Sequence, residues 1–514
     1  MAHIPIQQEQ IDRVKGLARD IAFQVHGFLS DYSSVSIERT VLRLYGVDGI
    51  DKDGMPLPNR IVDMFGRTNL LENGVSRNFA AAMVLSEADP LTTAERIEKG
   101  DIPLHDVHTC VVEDVQKKER ELAQKAVKAL DESHRRKEKK AETYGLPDQP
   151  WKYIIVATGN VYEDVTHARS AVHSGADIIA QIRSTAQSLL DYIPYGPTTE
   201  GFGGTFATQA NFKIMRQALD EESEKHGRFI RLVNYSSGLC MAEIAACAAF
   251  EELDILLNDS MYGILFRDIN MKRTFVDQHF SRLICARAGI IINTGEDNYL
   301  TTSDAIENAH TVTASQLINE AMAKRALLSD NLLGLGHAFE IDPHVENAFL
   351  YEIAHAQLAR QLFPHSPVKY MPPTRYKSTD IFYSHSLDTL FNLASIATNQ
   401  GIHLAGILTE AIQNPYLHDR YLALSNINFV FHVAKDLGEE VQFKRDGFIC
   451  KRAQKVLDEA EDFLKDVKET GLMEAITTGK FADISRPVQG GKGLEGVFKK
   501  GPDYSNPIMD LLEK

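Results

Sequence analysis

Short apolar or β-branched runs recur from Trp151 to about residue 410. Each is followed by a longer stretch in which apolar residues return every three or four positions. The runs are YIIVATG (153–159), DIIAQIR (177–183), FIRLVNYS (229–236), DILLNDS (254–260), GIIINTG (289–295), NLLGLGHAFE (331–340), PVKYMPP (367–373) and GIHLAGILTE (401–410). Between them lie helix-period stretches such as TQANFKIMRQALDEESEKHG and HVENAFLYEIAHAQLARQLF. Unbroken apolar runs suit strands buried on both faces, and the 3.6-residue period suits the helices that cover them. Eight such units in about 260 residues predict an α/β fold of the (β/α)8 TIM-barrel type. A doubly wound open sheet has the same alternation, and the count of eight favours closure. Successive units share no evident similarity, so the pattern is not a solenoid.

The flanks read differently. Residues 1–150 are mainly helical, with loops such as GIDKDGMPLPNR and a long charged segment from Glu113 to Glu142. Three regions follow: a helical N-terminal region (1–150), the barrel (151–414) and a helical C-terminal region (415–514). The basic run His134–Lys140 has acidic flanks and no interleaved aromatics, which predicts a solvated helix face rather than a nucleic-acid site. RPVQGGKGLEGV (486–497) looks like a phosphate loop, but Lys492 is followed by Gly493 instead of Ser or Thr. It reads as a surface or interface loop.

Composition narrows the function classes. Lys and Arg total 55 against 71 Asp and Glu, a formal charge of −16, with 44% hydrophobic and 25% charged residues. That balance is ordinary for a soluble globular protein, and the acidic field disfavours nucleic acid and anionic membrane as partners. No apolar run reaches the roughly 18–20 residues needed to cross a bilayer, and the start lacks a signal-peptide pattern, so the expected location is cytoplasmic. Cys110, Cys240, Cys247, Cys285 and Cys450 are odd in number and never spaced as CxxC, which argues against a disulfide framework or a zinc knuckle. Cys240 and Cys247, within GLCMAEIAACAAF, read as buried small hydrophobes.

In a barrel the reacting groups come from the carboxyl ends of the strands. The second run ends at Arg183 and enters a loop of hydroxyls, tyrosines and glycines. There Arg183, Ser188 and Tyr192 supply a cation and two hydroxyls suited to a phosphate monoester, although such a loop is also structural in many proteins. Ser237 either donates to a ring nitrogen or caps the helix that begins near Met241, and spacing alone favours the cap. Tyr262 reads equally as a platform for an aromatic cofactor and as core packing. Asp297 and Lys369, opposite charges on different strand ends, either clamp a zwitterionic substrate or pair with each other. Lys369 is also the amine available if the chain bound pyridoxal phosphate unaided. Glu340 and Glu410 are acid/base or metal-ligand candidates. With no His-x-x-x-His or Asp-x-Asp spacing, no metal site is expected.

The strings IIVATGNVYEDVTHA, IRSTAQSLLDYIPYGPTTEGFGGTFATQANF, LNDSMYGILFRDINMKRTFVDQHFSR, IINTGEDNYLTT, GLGHAFEIDP, KYMPPTRY and RPVQGGKGLEGV closely resemble the large (α) subunits of the lysine 5,6-aminomutase family over nearly the whole chain, most densely within the barrel. The resemblance implies a radical enzyme that moves the terminal amino group of D-lysine or L-β-lysine to the neighbouring carbon, using adenosylcobalamin and pyridoxal phosphate in lysine fermentation. It further implies a smaller β subunit that carries the cobalamin and supplies the Schiff-base lysine, within an α2β2 assembly. A cobalamin-binding Asp-x-His-x-x-Gly is missing from this chain. Asp106-Val-His108 and Asp342-Pro-His344 approach it, but Val111 and Asn347 stand where the glycine belongs.

Carried over by position, the family pattern assigns Arg183, Ser188 and Tyr192 to the cofactor phosphate, Ser237 to the pyridine nitrogen, Tyr262 to stacking on the ring and Arg267 to the vicinity of the ring oxygen. Asp297 then meets a substrate amino group and Lys369 the carboxylate, with Glu410 as a further substrate-pocket residue. Lys369 is in that case not the Schiff-base lysine. Ala186 and Ser236 depart from the Gly and Cys of the pattern, which touches the shape of the cofactor pocket but not the charged roles. The competing readings are a self-sufficient barrel lyase or isomerase, using pyridoxal phosphate on Lys369 or a metal on Asp259, Asp297 and Glu340, and a non-catalytic docking scaffold.

Overall fold

Alternation of side chains along short strands builds the centre of the molecule. The computed structural model describes residues 4–182, 184–295, 306–337 and 340–514. β1 (Tyr32–Ser34) lies in the N-terminal region. The eight apolar runs then supply β2 (Trp151–Val156), β3 (Ile178–Gln181), β4 (Arg231–Tyr235), β5 (Ile255–Leu257), β6 (Ile291–Asn293), β7 (Leu333–Gly334), β8 (Gly336–His337), β9 (Lys369–Tyr370) and β10 (Ile402–Leu404). Near the C-terminus β11 (Val497–Lys499) returns to pair antiparallel with β1.

β2 to β10 are all parallel, in the order β7-β6-β5-β4-β3-β2-β10-β9-β8. β7 and β8 belong to one stave: Leu333–Gly334 bonds to β6, and after Leu335 the chain bonds to β9 through Gly336–His337. That single segment closes the ring, so the fold is a (β/α)8 TIM barrel whose sixth stave is split. The strands are shorter than the apolar runs. In GIHLAGILTE, for example, only residues 402–404 are strand, and residues 405–410 continue as loop and turn at the mouth.

Trp151, Tyr153, Ile178, Ala180, Val233, Ile255, Ile291, Ile402 and Leu404 fill the lumen. Their neighbours Ile154, Val156, Ile179, Leu232, Leu256, Ile292 and Leu333 face the surrounding helices, as a period of two requires. At the amino ends of the strands the Arg231 guanidinium lies 3.6 Å from the centroid of the Trp151 ring, flooring the lumen with a cation–π contact.

The charged helix Val112–Tyr144 runs beneath this floor. The expectation of a solvated face for His134–Lys140 holds for Arg135, Arg136, Glu138 and Lys139, which are exposed, and is corrected at Lys137. Lys137 is buried and donates to the carbonyls of Leu253 (3.1 Å), Ala288 (2.9 Å) and Gly289 (2.8 Å). Burial lowers its ammonium to about 8. Arg136 pairs with Glu252 at 2.6 Å and Lys140 with Asp220 at 2.6 Å. Arg136, Lys137 and Lys140 thus dock this stretch of the helix onto carbonyls and carboxylates at the barrel's lower edge. Helix Gln8–Leu29 packs on helices Ala309–Arg325 and Phe448–Thr470. Cys240, Cys247, Cys285 and Cys450 are buried, and all five thiols are unpaired. Among the described residues no helix is long and apolar enough to cross a membrane.

Candidate active site at the barrel mouth

The loop after β3 begins with the 3-10 turn Thr185–Leu189. Ser188 is buried in it, and its hydroxyl donates to the Thr185 carbonyl at 2.7 Å. The next loop round the rim packs directly on that turn. Gly238 has φ +134°, and a Cβ there would lie 2.6 Å from the Ser188 oxygen, so only glycine allows the approach. Leu239 N donates to the same oxygen at 3.0 Å. Ser188 and the Ser237–Gly238 turn are thus brought together.

Ser237 does not cap the following helix, whose N-cap residue Cys240 makes no side-chain cap bond. Its hydroxyl oxygen accepts from Asp259 N at 2.8 Å, and the hydroxyl donates to the Leu257 carbonyl at 3.4 Å. Tertiary contact with the end of β5 has replaced the local option that spacing favoured.

Asp259 caps the short helix Met261–Arg267, accepting from Met261 N at 3.1 Å and Tyr262 N at 2.9 Å. Tyr262 is half-buried. Its hydroxyl accepts from Arg267 Nη2 at 2.9 Å, and the guanidinium carbon sits 5.4 Å from the ring centroid. Arg267 Nε is buried with no hydrogen-bond partner among the described residues.

The glycine-rich segment 486–497 braces this helix. Arg486 Nε donates to the Ile264 carbonyl at 3.0 Å, Lys492 N to Asp268 O at 2.7 Å, and Asn270 Nδ2 to the Val488 carbonyl at 3.0 Å.

Half-buried Tyr192 follows Asp191, whose carboxylate is gripped by Arg39 and Arg273, both at 2.7 Å. Burial works to raise the Asp191 carboxyl, and the two guanidinium groups more than offset it, so the group stays below the usual carboxylate range.

On the opposite arc Lys369 is only 2% exposed, and its backbone N donates to Leu335 O at 2.9 Å. It is in register with Gly336 and with Ile402, a lumen residue, so its side chain springs from the inner face. Buried Glu340 accepts from the backbone N–H groups of Thr374 (3.3 Å) and Arg375 (3.5 Å), while its Oε2 has no hydrogen-bond partner among the described residues. Burial pushes this carboxyl up to about 7. Glu410 bonds to Lys377 Nζ at 3.0 Å, and the same ammonium meets Asp388 at 2.9 Å and the Ile407 carbonyl at 3.0 Å.

Arg183 and Asp297 lie outside the described residues. Two groups escaped the sequence reading. Lys377 carried no local signal, because its partners are 11 and 33 positions away. Asn293, a strand-end residue, bears no charge to single it out. Among the described residues no cluster of His, Cys, Asp and Glu is arranged to hold a metal ion.

A closed parallel barrel with a plugged floor and hydroxyls, an aromatic–cation pair, a buried lysine and carboxylates at its carboxyl rim has the layout of a barrel enzyme. Residues 4–511 match the family described as the D-lysine 5,6-aminomutase TIM-barrel domain of the alpha subunit, and the chain belongs to that family. It is 48% identical to the lysine 5,6-aminomutase alpha subunit of Acetoanaerobium sticklandii over 502 residues, covering 98% of this chain and 97% of that protein. It is equally 48% identical to the alpha subunit of the same name from Fusobacterium nucleatum over 513 residues, covering 100% and 99%. A more distant relative is the D-ornithine 4,5-aminomutase subunit beta of Acetoanaerobium sticklandii, 26% identical over 71% of this chain and 51% of that protein.

Proposed function

We propose that this chain is the large subunit of an isomerase, a lysine 5,6-aminomutase, that moves the terminal amino group of D-lysine or L-β-lysine to the adjacent carbon with pyridoxal 5′-phosphate and adenosylcobalamin. The observation that carries the reading is identity at the 48% level along essentially the full length of two such alpha subunits. The rim chemistry supports it. A half-buried tyrosine ring with a guanidinium beside it, two adjacent serine-bearing turns and a glycine contact between them fit a phosphorylated aromatic aldehyde. Ser237 Oγ accepts from Asp259 N, and its own proton goes to the Leu257 carbonyl only over a long 3.4 Å, a bond that a ring nitrogen can replace.

In this reading Arg183, Ser188 and Tyr192 hold the phosphate, Ser237 faces the ring nitrogen, Tyr262 stacks on the ring and Arg267 lies near the ring oxygen. Asp297 receives a substrate ammonium and Lys369 the carboxylate, with Glu410 at the edge of the pocket. When bound, pyridoxal phosphate supplies a π system that delocalises an unpaired electron and adenosylcobalamin the initiating radical. This chain's own task is to orient the substrate and exclude water. A misplacement of about 1 Å costs on the order of a hundredfold in rate, and enclosure protects a carbon radical from quenching.

The cobalamin and the aldehyde-binding lysine are assigned to a β subunit in an α2β2 assembly. The missing Asp-x-His-x-x-Gly and the "alpha subunit" names of the relatives support that division. Five unpaired thiols accord with a cytoplasmic location.

Borohydride treatment of the isolated chain with pyridoxal phosphate tests the division of labour. No reduced adduct on Lys369 is expected, and an adduct there would establish the self-sufficient enzyme instead. In the reconstituted complex Lys369→Ala and Asp297→Ala should abolish turnover with bound pyridoxal phosphate nearly unchanged, whereas Tyr262→Ala should lose cofactor. Near-normal rates in either clamp variant would remove the assigned roles.

A further inference from the structure

Ile255 and Ile291 face the lumen, so Leu257 and Asn293, two residues further along β5 and β6, face it too. Asn293 is 0% exposed, and neither its Oδ1 nor its Nδ2 has a hydrogen-bond partner among the described residues. A fully buried amide with both groups unmade costs on the order of a few kcal/mol unless something in the lumen completes it. Leu257, in register on one side, cannot do so.

On its other side the sixth stave offers glycine. Gly334 is in register with Asn293, and a Cβ there would fall 2.2 Å from Asn293 Oδ1. The next inward position of that stave is Gly336, which is in register with Lys369. Between the Asn293 amide and the Lys369 stem the inner wall therefore carries two glycines and no side chain. The separation spans two strand spacings, roughly 10–12 Å between Cα atoms. A small charged group on the ligand can lie on that bare backbone with an amide on one flank and an ammonium on the other.

We propose that the Asn293 amide is a substrate-contacting residue that, opposite Lys369 across the bare Gly334–Gly336 stretch of wall, donates through Nδ2 to the carboxylate of the amino-acid substrate. The inference rests on the assignment of Lys369 to that carboxylate and adds a neutral, directional donor to its point charge. A lone ammonium attracts an anion without fixing its plane, whereas a second donor at a set angle orients it.

The test uses the reconstituted complex loaded with both cofactors and compares the preferred lysine substrate with its carboxamide, which lacks the negative charge. Binding is read from the spectral change of bound pyridoxal phosphate and turnover as kcat and KM. Asn293→Leu should weaken lysine binding about tenfold to a hundredfold, weaken carboxamide binding far less, and leave the pyridoxal phosphate content unchanged. Its preference for lysine over the carboxamide should therefore collapse. Asn293→Asp, which sets a like charge against the carboxylate, should collapse it further. Asn293→Ser serves where the leucine variant does not fold. Cofactor-replete variants that keep the wild-type preference would overturn the proposal, whether water or nothing completes the amide. Lys369→Met, run in parallel, separates the two failures. If it erases the preference and the Asn293 variants do not, only this inference fails. If neither erases it, the carboxylate lies elsewhere and the Lys369 assignment fails as well.

Discussion

The Lys377 ammonium lies 3.0 Å from a carboxylate oxygen of Glu410, yet the two ends of that pair sit in different media. The lysine side chain is 1% exposed and Glu410 42%. The second partner of Lys377, Asp388 at 2.9 Å, is as buried as the lysine itself. The buried half of this triad carries the structural energy, and the exposed half orients a rim carboxylate.

Replacing Lys377 by Met leaves the Asp388 charge uncompensated in the protein, which costs about 3–5 kcal/mol. Glu410→Gln removes only a solvent-screened attraction and should cost about 1 kcal/mol or less. Denaturant midpoints of the two variants are expected to differ accordingly. Equal shifts would mean that Glu410, and not Asp388, is the principal partner.

Arg273 joins the loops proposed to hold pyridoxal phosphate to the rest of the molecule. Fully buried, it donates to Asp277 and Asp191, both at 2.7 Å, to the Leu239 carbonyl at 2.8 Å and to the Gly493 carbonyl at 3.3 Å. Asp191 precedes Tyr192, and Leu239 follows the Ser237–Gly238 turn. Arg273→Leu should therefore cost about 3–5 kcal/mol and also loosen pyridoxal phosphate, measured as cofactor retained after gel filtration. A variant that is destabilised yet retains its full complement of cofactor would show that the two loops hold their geometry without Arg273.

The barrel was legible because most of its strands, buried on both faces, sit within short runs dominated by apolar residues, repeated eight times between helix-period stretches. The split of the sixth stave was not, since Leu333–His337 alternates leucine and glycine, and which neighbour each half joins depends on ring closure. Rim residues were legible as strand ends but their partners were not. Ser237 sits where a local cap is plausible, and its bond to Asp259 N is set by the pairing of β4 with β5. The run His134–Lys140 reads as solvated until the barrel edge, distant in sequence, presents three carbonyls to Lys137. Charge singled out Lys369 and Glu410 as candidates in the sequence. The absence of charge hid Asn293, whose significance lies in what it fails to bond.

Glu340 offers a pH test. Its carboxyl is raised to about 7, first by burial and secondarily by Glu410. The Thr374 and Arg375 backbone N–H groups and the Arg375 charge pull the other way. An unfolded glutamic acid titrates near 4.3, so between about pH 4.5 and 7 the folded protein holds a proton that the unfolded chain has released. Protons bound in the unfolded state minus those bound in the folded state is then negative, and the stability contributed by Glu340 is complete below about pH 4.5 and lost as pH rises to 7. The loss is on the order of 3 kcal/mol. Glutamine copies the protonated form and its Oε1 can still accept from Thr374 and Arg375, so Glu340→Gln should keep that stability at every pH. Buried Glu38, Glu352 and Asp388 are also raised and contribute to the slope in both proteins, so the difference between them isolates position 340. Unfolding midpoints should coincide near pH 4.5 and separate progressively toward pH 7, with the glutamine variant the more stable. Midpoints that stay parallel across that range would show that Glu340 is ionised in the folded protein throughout.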